Sequence, residues 1–105
     1  MPGIDFSKLR REIPMEEVLN LLGFQPVRRM GDQWYGPCPF HERGSERADY
    51  FSVNVASRRY HCHKCRRYGN QLELWADFIG LPLHPASIDL CLALGRDVPW
   101  IRRWR

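Results

Sequence analysis

The sequence predicts an α+β fold, a small antiparallel sheet flanked by N- and C-terminal helices, on three observations. Two short pairs of metal-ligating residues, Cys38-Pro-Phe-His41 and Cys62-His-Lys-Cys65, stand twenty residues apart. Part of the stretch between them alternates apolar and polar residues with the period of a strand. The segments on either side carry apolar residues with the period of a helix. Each pair places two ligands on one tight turn, and the spacer is long enough for two strands. That is the layout of a zinc ribbon, in which one tetrahedral Zn²⁺ ties two turns together. Three cysteines and one histidine fill the four-coordinate shell of a structural site. Such a site typically contributes ~10–16 kcal/mol in apparent terms at neutral pH, comparable to the whole stability of a small domain. The metal is therefore expected to be required for the central fold.

The elements follow in order. Asp5 suits the cap of a short helix over 5–13, with Phe6, Leu9 and Ile13 on one face. Pro14 suits the first position of a second helix, Glu16 and Glu17 complement its dipole, and Gly23 suits its end. Its buried stripe is Met15, Val18, Leu19 and Leu22. Strands are expected over Phe24 to Arg29 and Gln33 to Gly36, joined by a turn at Met30-Gly-Asp32. The second of these delivers Cys38. His41 to Asp49 is polar and reads as a loop. Tyr50 to Val55 reads as a strand with Phe51, Val53 and Val55 on one face and Ser52 and Asn54 on the other. Ala56-Ser57 turns the chain, and Arg58 to Cys62 returns as its partner and delivers the distal pair. Asn70 and Glu73 form a capping-box pattern for a helix with Leu72, Trp75, Ala76 and Ile79 buried, ended by Gly80 and Pro82. Pro85 starts a last helix through Leu94, closed by Gly95, with His84 as a cap and Cys91 as a buried thiol. The ribbon core thus spans 24–70, the helical flanks 5–23 and 71–95, and a basic-aromatic tail 96–105.

At 105 residues the chain suits one compact domain. The formal charge is +4, and arginine dominates the basic set, in the clusters Arg10-Arg11, Arg28-Arg29, Arg58-Arg59, Arg66-Arg67 and Arg102-Arg103. Arginine pairs with phosphate and stacks on bases, so basic clusters beside a zinc ribbon point to a nucleic-acid partner. The sequence shows no secretory signal and no apolar run long enough to cross a membrane, so no membrane partner is expected. A reducing prokaryotic cytoplasm, beside the nucleoid, is the expected location, where the cysteines serve a metal rather than disulfides. His61 and His63 flank Cys62 and could in principle replace a neighbour on the metal. The two-residue spacing and the strength of thiolate ligands favour Cys62 and Cys65. A zinc enzyme is disfavoured, because its site needs three protein ligands and an open position.

The run Gly36-Pro-Cys-Pro-Phe-His41, then Phe51-Ser-Val-Asn54, then Tyr60-His-Cys-His-Lys-Cys65, then Gly69-Asn70 resembles the zinc-binding domain of bacterial DnaG-type primases. The resemblance covers residues 14–95. It implies the metal ligands Cys38, His41, Cys62 and Cys65, one structural zinc, and a ribbon that contacts single-stranded DNA template in replication or mobile-element DNA metabolism. Two departures stand out. Arg43-Gly-Ser-Glu-Arg-Ala-Asp49 replaces a stretch of small residues with Thr-Pro-Ser, and His63 and Arg66 stand where the family usually has Phe and Gly. The family's catalytic polymerase domain, with its acidic metal-binding cluster, is not in this sequence, so the chain is expected to be a non-catalytic part of a primase. The expected DNA track is Arg58, Arg59, Lys64, Arg66 and Arg67, with Trp34, Tyr50, Tyr60 and Tyr68 as stacking platforms. The alternative is a protein-interaction module that docks a separate primase, polymerase or helicase subunit through the helix around Ile88–Leu94 and the tail from Trp100.

Overall fold

The computed structural model describes residues 3–40, 51–63 and 66–101. The α+β architecture is as expected. In chain order the elements are β1 (Gly3–Ile4), α1 (Phe6–Glu12), α2 (Met15–Leu22), β2 (Arg28–Met30), β3 (Gln33–Gly36), β4 (Phe51–Asn54), β5 (Arg59–Cys62), β6 (Tyr68–Asn70), α3 (Gln71–Ile79), α4 (Leu83–Leu94) and β7 (Trp100–Ile101). Strands β2 to β6 form one antiparallel five-stranded sheet in sequence order. The helices cover one of its faces, and no single helix among the described residues is long and apolar enough to cross a membrane.

Local signals explain most of the elements. The Asp5 carboxylate accepts from the Lys8 N–H at the start of α1. Asn70 accepts from the Glu73 N–H while the Glu73 carboxylate accepts from the Asn70 N–H, a reciprocal capping box that opens α3. Gly23, Gly80 and Gly95 close three helices in the left-handed conformation. Gly36 serves close packing instead. A Cβ there would lie 2.7 Å from the Phe24 ring, which packs onto the strand at that point.

Several boundaries differ from expectation for identifiable reasons. Strand pairing before the first hairpin covers only Arg28–Met30, because Phe24 turns onto Gly36 and Pro26 has no N–H to donate. Pro14 stands at the cap of α2, one position before the first helical residue. Helix α4 begins at Leu83, so Pro85 sits in its first turn, where the N–H groups need no intrahelical partner. His84 is therefore helical and exposed rather than a cap. Two pairings had no local signal. Tyr68–Asn70 adds a fifth strand beside β5. Trp100–Ile101, expected to belong to the tail, pairs with Gly3–Ile4, and the Asp5 N–H donates to the Pro99 carbonyl at 2.8 Å.

The core lies between the sheet and the helices. Phe51, Val53, Tyr60 and Cys62 from the sheet meet Leu9, Ile13, Met15, Val18 and Leu19 from the N-terminal segment and Leu72, Leu74, Trp75, Leu90 and Cys91 from α3 and α4. Cys91 is fully buried, and burial pushes its thiol up from the ordinary range. Gln71 is a buried polar tie: its carboxamide donates to the carbonyls of Arg10 at 2.9 Å and Ile13 at 2.8 Å, satisfying the end of α1. The Trp75 indole N–H donates to Asp89 at 2.9 Å and joins α3 to α4.

Candidate metal centre and nucleic-acid interface

Gly36 on β3 and Cys62 on β5 both pair with Phe51 of the strand between them. The two ligand-bearing turns therefore leave the same end of the sheet, Cys38 two residues past Gly36 and Cys62 at the end of its own strand. In the proximal turn the Phe40 N–H donates to Cys38 Sγ at 3.4 Å, an arrangement that favours sulfur as a thiolate. In the distal turn the Cys62 N–H donates to the Arg67 carbonyl, and the Arg66 N–H to the Cys62 carbonyl, both at 2.8 Å. Cys62 is fully buried and Cys38 half-buried. This donor set suits a soft or borderline ion such as Zn²⁺. His41 and Cys65 lie outside the described residues, as do Lys64 and Tyr50. Arg66 takes a left-handed backbone, with φ of 60°, where a glycine would be free of strain.

Side chains of directly paired residues in an antiparallel sheet share a face. The register therefore sorts the sheet into two surfaces. The core surface carries Trp34, Val53 and Tyr60 in one row. The opposite surface carries Arg28, Tyr35, Ser52, His61 and Tyr68 in one row across all five strands. Met30, Gln33, Asn54 and Arg59 form the next row on that surface. The Asn54 carboxamide donates to Gln33 Oε1 at 3.1 Å. The Arg28 guanidinium lies 4.5 Å from the Tyr35 ring centre. His61 sits edge to face with Tyr68 at 6.5 Å. Tyr68 is 72% exposed.

This sorting corrects part of the expected DNA-contact set. Tyr60 is 3% exposed and packs on Phe51 with ring centres 5.9 Å apart, so it is a core ring and not a stacking platform. Its hydroxyl donates to Asp77 at 2.5 Å. Burial, and then that carboxylate, push the phenol well above the ordinary tyrosine range. Trp34 faces the core side and is covered by the Arg29 guanidinium at 4.2 Å from its ring. Arg67 turns toward the helices, 3.5 Å from Asp77 and 5.0 Å from the Phe40 ring centre, where it ties the distal turn to α3. Arg59 and Tyr68 lie on the outer surface, Arg58 is half-buried in the hairpin turn with φ of 58°, and Arg66 is exposed on the distal turn. Tyr35, Arg28, His61, Gln33 and Asn54 belong to the same surface and lie outside the DNA-contact set expected from sequence. Parity relative to Ser52 and Asn54 is the signal that finds them.

The family model described as CHC2 zinc finger, of the DnaG zinc ribbon, matches residues 4–102. The chain belongs to the CHC2 zinc-finger family. It is similar to the DNA primase of Geobacillus stearothermophilus, at 28% identity over 98 residues, covering 93% of this chain and 16% of that protein. The DNA primase of Myxococcus xanthus is 32% identical over 72 residues, covering 69% of this chain and 11% of the relative. The chain thus spans about a sixth of the length of the first of these relatives. Its fold matches the crystal structure of the Aquifex aeolicus primase, described as zinc binding and RNA polymerase domains, with a TM-score of 0.71 at 21% identity, over 91% of this chain and 23% of that one. Membership of this family implies zinc as the cofactor of the two turns.

Proposed function

We propose that the chain is a zinc-dependent, non-catalytic module of a DnaG-type primase, and that the outer face of its five-stranded sheet binds single-stranded DNA template. One zinc, held by Cys38, His41, Cys62 and Cys65, fixes the two turns at one end of that face. The observation that carries the reading is the row Arg28, Tyr35, Ser52, His61 and Tyr68, which puts cationic and aromatic groups on one sheet surface away from the core. Single-strand binders combine a basic track with rings on which bases stack, at ~1–3 kcal/mol per stacked base. Arg28, Arg59 and Arg66 supply the charge. Primer synthesis would need a polymerase domain beyond the matched region.

The test is a titration of the zinc-loaded chain against single-stranded DNA, duplex DNA and RNA at two salt concentrations. Affinity for the single strand should fall with salt, with a slope of roughly −0.7 per neutralised phosphate. Arg59→Ala should flatten the slope by about one contact. Tyr68→Ala should weaken binding with little change of slope. Absence of single-strand binding at low salt would shift the balance to a protein-docking module. That reading is favoured by the apolar exposure of Leu92, Trp100 and Ile101, at 72%, 43% and 40%. A separate catalytic or helicase subunit would be its partner.

A further inference from the structure

Cys62 turns its side chain toward the helix-covered side of the sheet. Its two neighbours in sequence are His61, on the outer side of β5, and His63, in the turn that follows that strand. Their rings meet with centres 4.4 Å apart and planes at 76°, and both residues are exposed. The register leaves Ser52, a small residue, directly across from His61 on β4. Among the described residues neither imidazole has a hydrogen-bond partner, so their ring nitrogens are available as donors.

We propose that His61 and His63 form a second metal site, a surface chelate for a transition-metal dication, facing away from the buried Cys62 thiol between them. Imidazole suits zinc, nickel and copper, and two imidazoles with ring centres 4.4 Å apart act as one bidentate donor. Once the first nitrogen has bound, the second binds within the same molecule, which raises affinity on the order of 10²-fold over a lone histidine. Among the described residues no group of three or more His, Cys, Asp or Glu comes together. An ion on the pair therefore keeps water in its remaining positions and exchanges readily, unlike an ion in a closed four-ligand centre. Arg59, exposed and two residues earlier on the same side of β5, opposes a dication by its charge. The affinity comes from the two imidazoles alone and is modest.

The zinc-loaded full chain is titrated with Ni²⁺ by calorimetry while its zinc content is followed. One Ni²⁺ should bind per chain with zinc retained, and His61→Gln or His63→Gln should each weaken that binding by about 10²-fold. His84→Gln is the control, because His84 stands apart on α4 with its ring 6.2 Å from that of Trp100. It should leave nickel binding unchanged. Both test positions are exposed, and either variant that keeps its zinc suffices. Nickel uptake that is absent, that survives loss of either histidine, that falls equally in His84→Gln, or that occurs only as zinc is released would overturn the proposal.

Discussion

Replacing Tyr60 with phenylalanine separates a core role for this ring from a role on DNA. The substitution keeps the ring and its packing against Phe51 and Phe40, with centres 5.9 and 6.2 Å away. It removes only the hydroxyl that donates to Asp77. A hydrogen bond to a charged group contributes ~1.5–3 kcal/mol net. Asp77 is partly exposed and keeps Arg67 at 3.5 Å, so water and the guanidinium take up part of the loss. The expected cost is at the low end, about 1–2 kcal/mol. For a chain of this size that lowers the melting temperature by roughly 4–8 °C per kcal/mol. The cost also has a pH signature. The folded state raises the affinity of the phenol for its proton. The contribution is therefore full below the ordinary tyrosine range, near ~10, and is lost as pH rises beyond it. The gap between wild type and Tyr60→Phe should narrow as pH climbs above about 10. Urea unfolding of the zinc-loaded proteins at several pH values measures both effects, and the same proteins are tested for single-stranded DNA binding. Full stability combined with a loss of DNA affinity as large as that of Tyr68→Ala would refute the placement of Tyr60 in the core.

Three further outcomes are expected. Arg66→Gly should stabilise the zinc-loaded protein by about 1 kcal/mol in urea, because it relieves a left-handed backbone that costs a non-glycine residue ~1–3 kcal/mol, offset by the entropy of the added glycine. Gly36→Ala should cost about 1–3 kcal/mol in the same assay, since the new methyl would meet the Phe24 ring at 2.7 Å. Cys62→Ser, or zinc removal by a chelator, should abolish cooperative unfolding of the sheet by circular dichroism, whereas Cys91→Ser should leave the zinc content unchanged.

Much of this architecture is written in local patterns. The two ligand pairs mark where β3 and β5 end. Asn70 and Glu73 mark the start of α3 because the capping box is completed within four residues. Ser52 and Asn54 mark the outer side of β4 because strand alternation is a property of the chain itself. What escapes local reading depends on register and on distant partners. Trp34 and Tyr35 are adjacent and both aromatic, and only the pairing of Trp34 with Val53 decides which one faces the core. Arg67 looks like its neighbour Arg66 until Asp77, ten residues on, claims it across the fold. Trp100–Ile101 becomes a strand only because Gly3–Ile4 lies beside it. No short window contains that pairing.

The most direct test of the outer sheet face as the template surface is a map of amide shifts in the zinc-loaded chain as single-stranded DNA is added. Tyr35, Arg59, His61 and Tyr68 should move together and saturate together, while Trp75 and Leu90 on the helical side stay in place. Shifts concentrated on α4 around Leu92, with the sheet row unmoved, would contradict it.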